Sequence, residues 1–197
     1  YIWSLADQVL GKQSDFVEAT PDKSASLRSK IKNPKSGYAI AWQRLWGLPG
    51  AVTVPGDYDG DSKSDLCVFD SRGYWNAQNM AGNTLVVEQL WGWPGAITVP
   101  GDYDGDWTDD LAVYDQPSGC WYVWSLAKHS LIAWQKPWGW PGAVPVSGDY
   151  DGDRNADLAV FDTIQGYWYI WSVAKNTTLA WQQAWGWPGA YPPGGRE

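Results

Sequence analysis

The chain has 197 residues and a formal charge of −8, with 22 acidic and 14 basic side chains and a single histidine. It has no basic stripe to neutralise phosphates, which argues against a nucleic-acid partner, and no run of eighteen apolar residues to span a membrane. Seventeen Trp and eleven Tyr, against one Met and three Phe, with 22 Gly and 13 Pro, describe short strands broken by turns. The base expectation is an all-β fold.

The chain opens on Tyr1 rather than Met, read as processing or as excision from a longer chain. Residues 1–6, Tyr-Ile-Trp-Ser-Leu-Ala, match 122–127 and 169–174 in the interior of later repeats. There the next tryptophan, Trp134 or Trp181, follows Trp124 or Trp171 by ten residues, whereas Trp3 and Trp42 are thirty-nine apart. A polar insertion at about 7–37 accounts for the difference. It carries Lys12, Lys23, Arg28, Lys30, Lys32 and Lys35. Two readings stand: a solvated loop with a short helix near 22–32, or a basic contact for a partner with an acidic surface.

From Trp46 the sequence repeats. Trp-Gly-x-Pro-Gly recurs at 46–50, 91–95, 138–142 and 185–189, spaced by 45, 47 and 47 residues. Each unit reads as four strands: 51–54, 96–99 and 143–146; then 66–69, 111–114 and 158–161; then 74–78, 121–125 and 168–172; then 85–89, 132–135 and 179–182. Four short strands on a period in the mid-forties signify a β-propeller blade. The expected organisation is a half blade (1–45), three full blades (46–90, 91–137, 138–184), and a leading strand with a tail (185–197).

Trp46, Trp91, Trp138 and Trp185 fall at blade junctions and are expected to fill them. Trp93, Trp140, Trp187 and above all Trp107 are the candidates for exposure, where an aromatic ring can stack on a sugar. Cys67 and Cys120 read as separate buried thiols, with a bridge as the alternative.

Between the first two strands of every unit lies Gly-Asp-Tyr-Asp-Gly-Asp, at 56–61, 101–106 and 148–153. Aspartates occupy loop positions one, three, five and nine: Asp57, Asp59, Asp61 and Asp65; Asp102, Asp104, Asp106 and Asp110; Asp149, Asp151, Asp153 and Asp157. Four carboxylates in nine residues repel one another unless a cation lies between them. Hard oxygen ligands at alternate positions on a tight loop suit Ca²⁺, with the carbonyl of Lys63, Thr108 or Asn155 at position seven. Up to three Ca²⁺, one per loop, would offset most of the net charge. These are not EF-hands: position twelve holds Val68, Val113 or Val160 where a bidentate Glu belongs, and a strand follows.

The stretch WGWPGAITVPGDYDGDWTDDLAVYD and its sister copies resemble the FG-GAP and VCBS-type repeats of integrin-α-like propellers and of many bacterial secreted proteins. The resemblance covers 46–189. It implies a propeller whose first hairpins bind Ca²⁺ through the aspartates named above, in an extracellular or cell-surface protein. That family usually has Gly at loop position six, where φ is positive; this chain has Ser62, Trp107 and Arg154. An array of three and a half blades cannot close alone, so the sequence is either a slice of a longer propeller or, the expectation taken here, is completed by other copies of the chain in a closed oligomer or a filament.

No catalytic constellation is assembled by the sequence, and no enzyme is expected. His129 reads as a solvated turn residue, and the repeats supply no zinc ligands or nucleophile–base pair. Asp70, Asp115 and Asp162 end the second strand of each unit and read as turn formers. Two functions remain: a self-assembling structural protein stiffened by Ca²⁺, or a glycan-binding or adhesion module using exposed tryptophans.

Overall fold

A computed structural model of the chain describes residues 46–192. The expected half blade with its insertion, and the last residues of the tail, lie outside the described residues. The chain divides into two compact units, Tyr1–Arg44 and Leu45–Glu197; every described element belongs to the second.

The described residues form three four-stranded antiparallel sheets, each with its strands side by side in chain order. The first contains β1 (Val52–Thr53), β2 (Leu66–Phe69), β3 (Tyr74–Gln78) and β4 (Thr84–Leu90). The second contains β5 (Ile97–Thr98), β6 (Leu111–Asp115), β7 (Cys120–Ser125) and β8 (Ser130–Pro137). The third contains β9 (Val144–Pro145), β10 (Leu158–Asp162), β11 (Tyr167–Ser172) and β12 (Thr177–Ala184). All twelve coincide with strands expected from the repeat, and no helix occurs among the described residues.

The turns follow from side-chain chemistry. Asp70 Oδ1 accepts hydrogen bonds from the backbone N–H of Arg72 (2.8 Å) and Tyr74 (3.2 Å), and Asp162 Oδ1 from Ile164 (2.8 Å) and Gln165 (3.1 Å). These carboxylates therefore fold the β2–β3 and β10–β11 connections, as the sequence suggested. His129 and Asn176 hold positive φ in exposed turns. A device the pattern did not reveal is a β-bulge in every fourth strand, where Glu88, Gln135 and Gln182 have φ of 43°, 51° and 54°.

The second sheet is covered on both faces, so Leu111, Ala112, Val113 and Tyr114 are all fully buried and show no polar alternation. Leu111 and Val113 join Phe69, Trp75 and Ala77 of the first sheet in one cluster; Ala112 and Tyr114 join Leu158, Val160 and Tyr169 of the third in another.

A relay of indoles ties successive sheets together. Trp75 Nε1 donates to the carbonyl of Trp91 (2.7 Å), and Trp91 Nε1 donates to the carbonyl of Tyr122 in β7 (3.3 Å). The same pair of bonds recurs from Trp121 to Trp138 (2.7 Å) and from Trp138 to Tyr169 (3.2 Å). Trp138 also packs on Trp171 (5.3 Å between ring centroids) and Trp181 (6.0 Å). Glycine permits the approach, since a Cβ on Gly119 would strike the backbone of Gly139.

Two expectations about tryptophans need correction. Trp93 and Trp140 are half-buried rather than exposed, packed edge-on against Tyr122 and Tyr169 at 4.8 Å each, because the following sheet reaches over them. Trp185, expected to fill a junction, is 79% exposed, since no sheet among the described residues follows it. Trp187 and Trp107 are exposed as expected. Both cysteines are free thiols; burial pushes the Cys67 thiol up to about 12.

Candidate metal centres

Each acidic loop connects the first two strands of its sheet and is closed by an isolated bridge, Gly56 with Asp65, Gly101 with Asp110, and Gly148 with Asp157. The tyrosine at position two anchors it. Its hydroxyl donates to the carbonyl of Val54, Val99 or Val146, at 2.9, 2.7 and 2.7 Å. Its backbone N–H donates to the position-nine carboxylate of Asp65, Asp110 or Asp157, at 2.9 Å each.

The position-one carboxylate gathers the loop around itself. Asp57 accepts from the N–H groups of Gly60 (2.8 Å), Asp61 (3.1 Å) and Ser62 (2.7 Å). Asp102 takes the same bonds from Gly105 (2.6 Å), Asp106 (3.1 Å) and Trp107 (2.8 Å), and Asp149 from Gly152 (2.7 Å), Asp153 (3.2 Å) and Arg154 (2.9 Å). Ser62, Trp107 and Arg154 do stand at positive φ, 65°, 74° and 75°, where the resemblance placed glycine. The strain of a non-glycine residue there is a local cost of the loop.

Oxygens of Asp57, Asp59 and Asp61 converge to within 4.8 Å of one another in the first loop. The second and third loops converge on Asp102, Asp104 and Asp110 and on Asp149, Asp151 and Asp157, over the same distance. Positions one and three thus meet in every loop. Position nine joins them in the second and third loops, whereas Asp65 is not in the first cluster and Asp106 and Asp153 are not in theirs. The carboxylates of Asp61, Asp106 and Asp153 also accept the backbone N–H of Lys63 (2.9 Å), Thr108 (3.1 Å) and Asn155 (2.9 Å), tethering the residues whose carbonyls were expected as ligands.

Lysines from the third hairpin of the second and third sheets meet these clusters. The ammonium of Lys128 lies 2.8 Å from Asp104 Oδ1 and 3.7 Å from Asp106 Oδ2, and that of Lys175 lies 2.8 Å from Asp151 Oδ2 and 3.4 Å from Asp153 Oδ2. In the first sheet Asn79 Nδ2 donates to Asp59 Oδ2 instead (3.0 Å). The bond from Lys175 holds Asp151 below the usual carboxylate range. Burial works against ionisation of Asp104, but Lys128, the Ser125 hydroxyl and Asp106 together outweigh it and the carboxyl ends below its ordinary value. Sequence reading missed these lysines, although their recurrence at one place in two repeats was a usable signal.

One lysine cannot satisfy the whole cluster. Asp157 is fully buried and its Oδ1 has no hydrogen bond; burial raises its carboxyl above the ordinary value, against the partial opposing effect of the Tyr150 N–H and the nearby Ser172 hydroxyl. Asp106 Oδ2 is likewise buried without a hydrogen bond. An anionic oxygen left so is costly unless a cation is at hand. The donor set is all oxygen, the choice of a hard divalent ion.

Comparison with protein-family models, curated proteins and solved structures gives no match. The residues themselves define the class: an all-β chain of repeated four-stranded antiparallel sheets, each carrying one acidic turn able to hold a metal ion.

Proposed function

We propose that the chain is an extracellular or cell-surface Ca²⁺-binding repeat protein, built as a run of propeller blades of the FG-GAP or VCBS type, with a structural and self-assembling role. Asp57, Asp59, Asp61 and Asp65, and their counterparts in the other two loops, would hold up to three ions, joined by the carbonyls of Lys63, Thr108 and Asn155. A bound ion neutralises the carboxylates and pins the first hairpin of each sheet. The observation that carries the reading is the buried, unbonded Oδ1 of Asp157 inside a convergent carboxylate cluster. Lys128 and Lys175 then act as stand-in cations that a divalent ion displaces. No catalytic role is part of this reading.

Self-assembly is supported by the uncovered end of the third sheet, where Phe161, Trp168, Trp185 and Trp187 line an apolar recess. Strand addition by the half-blade sequence of a second copy would supply its cover. A glycan-binding or adhesion role is the second reading. It is favoured by Trp107, 61% exposed within an acidic loop with Arg154 5.2 Å from its ring centre.

The test is thermal unfolding with Ca²⁺ and after its removal. Ligand that binds the native state alone stabilises by about 2.7 kcal/mol per site at a hundredfold excess over the dissociation constant, so the melting temperature should rise with Ca²⁺ and fall with EGTA. Identical melting in both conditions would reject the metal reading.

A further inference from the structure

We infer that the three loops form one linked row of cation sites, with Asp109 positioning the first site from within the second loop. This rests on the calcium reading above.

The joints between loops are direct. Asp109 belongs to no ligand position, yet its backbone N–H donates to the carbonyl of Asp57 (2.6 Å), and its Oδ2 accepts the N–H of Asp57 (2.8 Å). Asp57 is thus gripped at both backbone groups by the neighbouring loop, while its carboxylate organises its own. Gly56 allows this closeness, since an added Cβ would stand 2.5 Å from Asp109 Oδ2.

Between the second and third loops the backbone half of the joint recurs. Ala156 N–H donates to the carbonyl of Asp102 (2.6 Å), with a methyl where Asp109 has a carboxylate. Two further contacts follow the same order. A Cβ on Gly60 would touch Thr108 Oγ1 at 3.4 Å, and one on Gly105 would collide with Asn155 Oδ1. Arg154 lies over the ring of Trp107. The two glycine contacts set position seven of one loop against position four of the loop before it, and the Arg154–Trp107 contact pairs position six with position six.

An ion that orders the second loop therefore fixes Asp109, and with it the backbone of Asp57, before the first site fills. By linkage the first ion returns the same free energy to the second. The first joint is stronger than the second, because it adds a side-chain acceptor to the shared backbone bond.

The test is titration of the ¹⁵N-labelled full chain with CaCl₂ at constant ionic strength. It follows the amides of Gly60, Gly105 and Gly152, each bonded to its own position-one carboxylate. Asp109→Ala should move the Gly60 midpoint to about tenfold higher Ca²⁺ and shift Gly152, two joints away, far less than Gly60. Asp109→Asn, which keeps the acceptor and removes the charge, should restore most of the affinity. Asp104→Asn, confined to the second loop, should raise the midpoints of both Gly60 and Gly152. An unmoved Gly60 in Asp109→Ala would overturn the positioning role. So would an Asn variant as weak as the Ala one, and unmoved outer sites in Asp104→Asn would overturn the linkage. If the unmodified chain shows three independent midpoints, the linkage alone fails; if no glycine responds to Ca²⁺, the calcium reading fails with it.

Discussion

Asp110 has no exposed surface, and burial, reinforced by the charges of Asp104 and Asp106, pushes its carboxyl up to about 7 despite hydrogen bonds from the N–H groups of Tyr103 and Leu126. Burial raises Asp65, Asp109 and Asp157 as well. A carboxyl whose folded pKa is raised keeps a proton that the unfolded chain has released. Its contribution to stability is complete below the unfolded value and is lost as the pH climbs to the folded one. Metal-free protein should therefore melt higher at pH 5.5 than at pH 7.5, and Ca²⁺ should reverse the order, because the ion binds the ionised form. Scanning calorimetry at both pH values checks this; a metal-free melting temperature that rises with pH would contradict it. At this scale the sequence was partly readable. The ligand aspartates announced themselves by recurring in register, whereas Lys128 and Lys175 act between two hairpins of one sheet and Asp109 between the loops of neighbouring sheets, proximities that only the fold creates.

The strands were legible because turn residues bracket each one and the unit recurs three times. The bulges at Glu88, Gln135 and Gln182 were not, because polar residues at positive φ leave no mark in a hydrophobic pattern. Tryptophan roles were the hardest to read, since Trp75 and Trp121 are fully buried while Trp168, at the same place in the repeat, is only half-buried. The neighbouring sheet, not the residue's own, decides burial. Trp121→Ala removes a buried ring that packs at a tilt against Tyr114 (5.2 Å between centroids) and an indole bond to the carbonyl of Trp138. It should cost about 3–5 kcal/mol in urea unfolding. Trp107→Ala, at an exposed site, should change stability by less than about 1 kcal/mol. Equal losses in the two variants would mean that the junctions between sheets contribute little.

In the second unit of the chain, sheet follows sheet, each covering the tryptophans of the one before, until the third leaves Trp185 and Trp187 in the open. If other copies supply that cover, sedimentation in Ca²⁺ should show species heavier than one chain, and Trp185→Ser should shift them toward the monomer. A weight of one chain at every concentration would exclude assembly through this surface. The relay of indoles also sets a rule of symmetry. Every donor faces forward along the sequence and every acceptor backward, so the two partners in such a contact are never alike. Copies joined through it cannot be related by a dyad; they must succeed one another in a single sense, as the members of a ring or the links of an open-ended chain do.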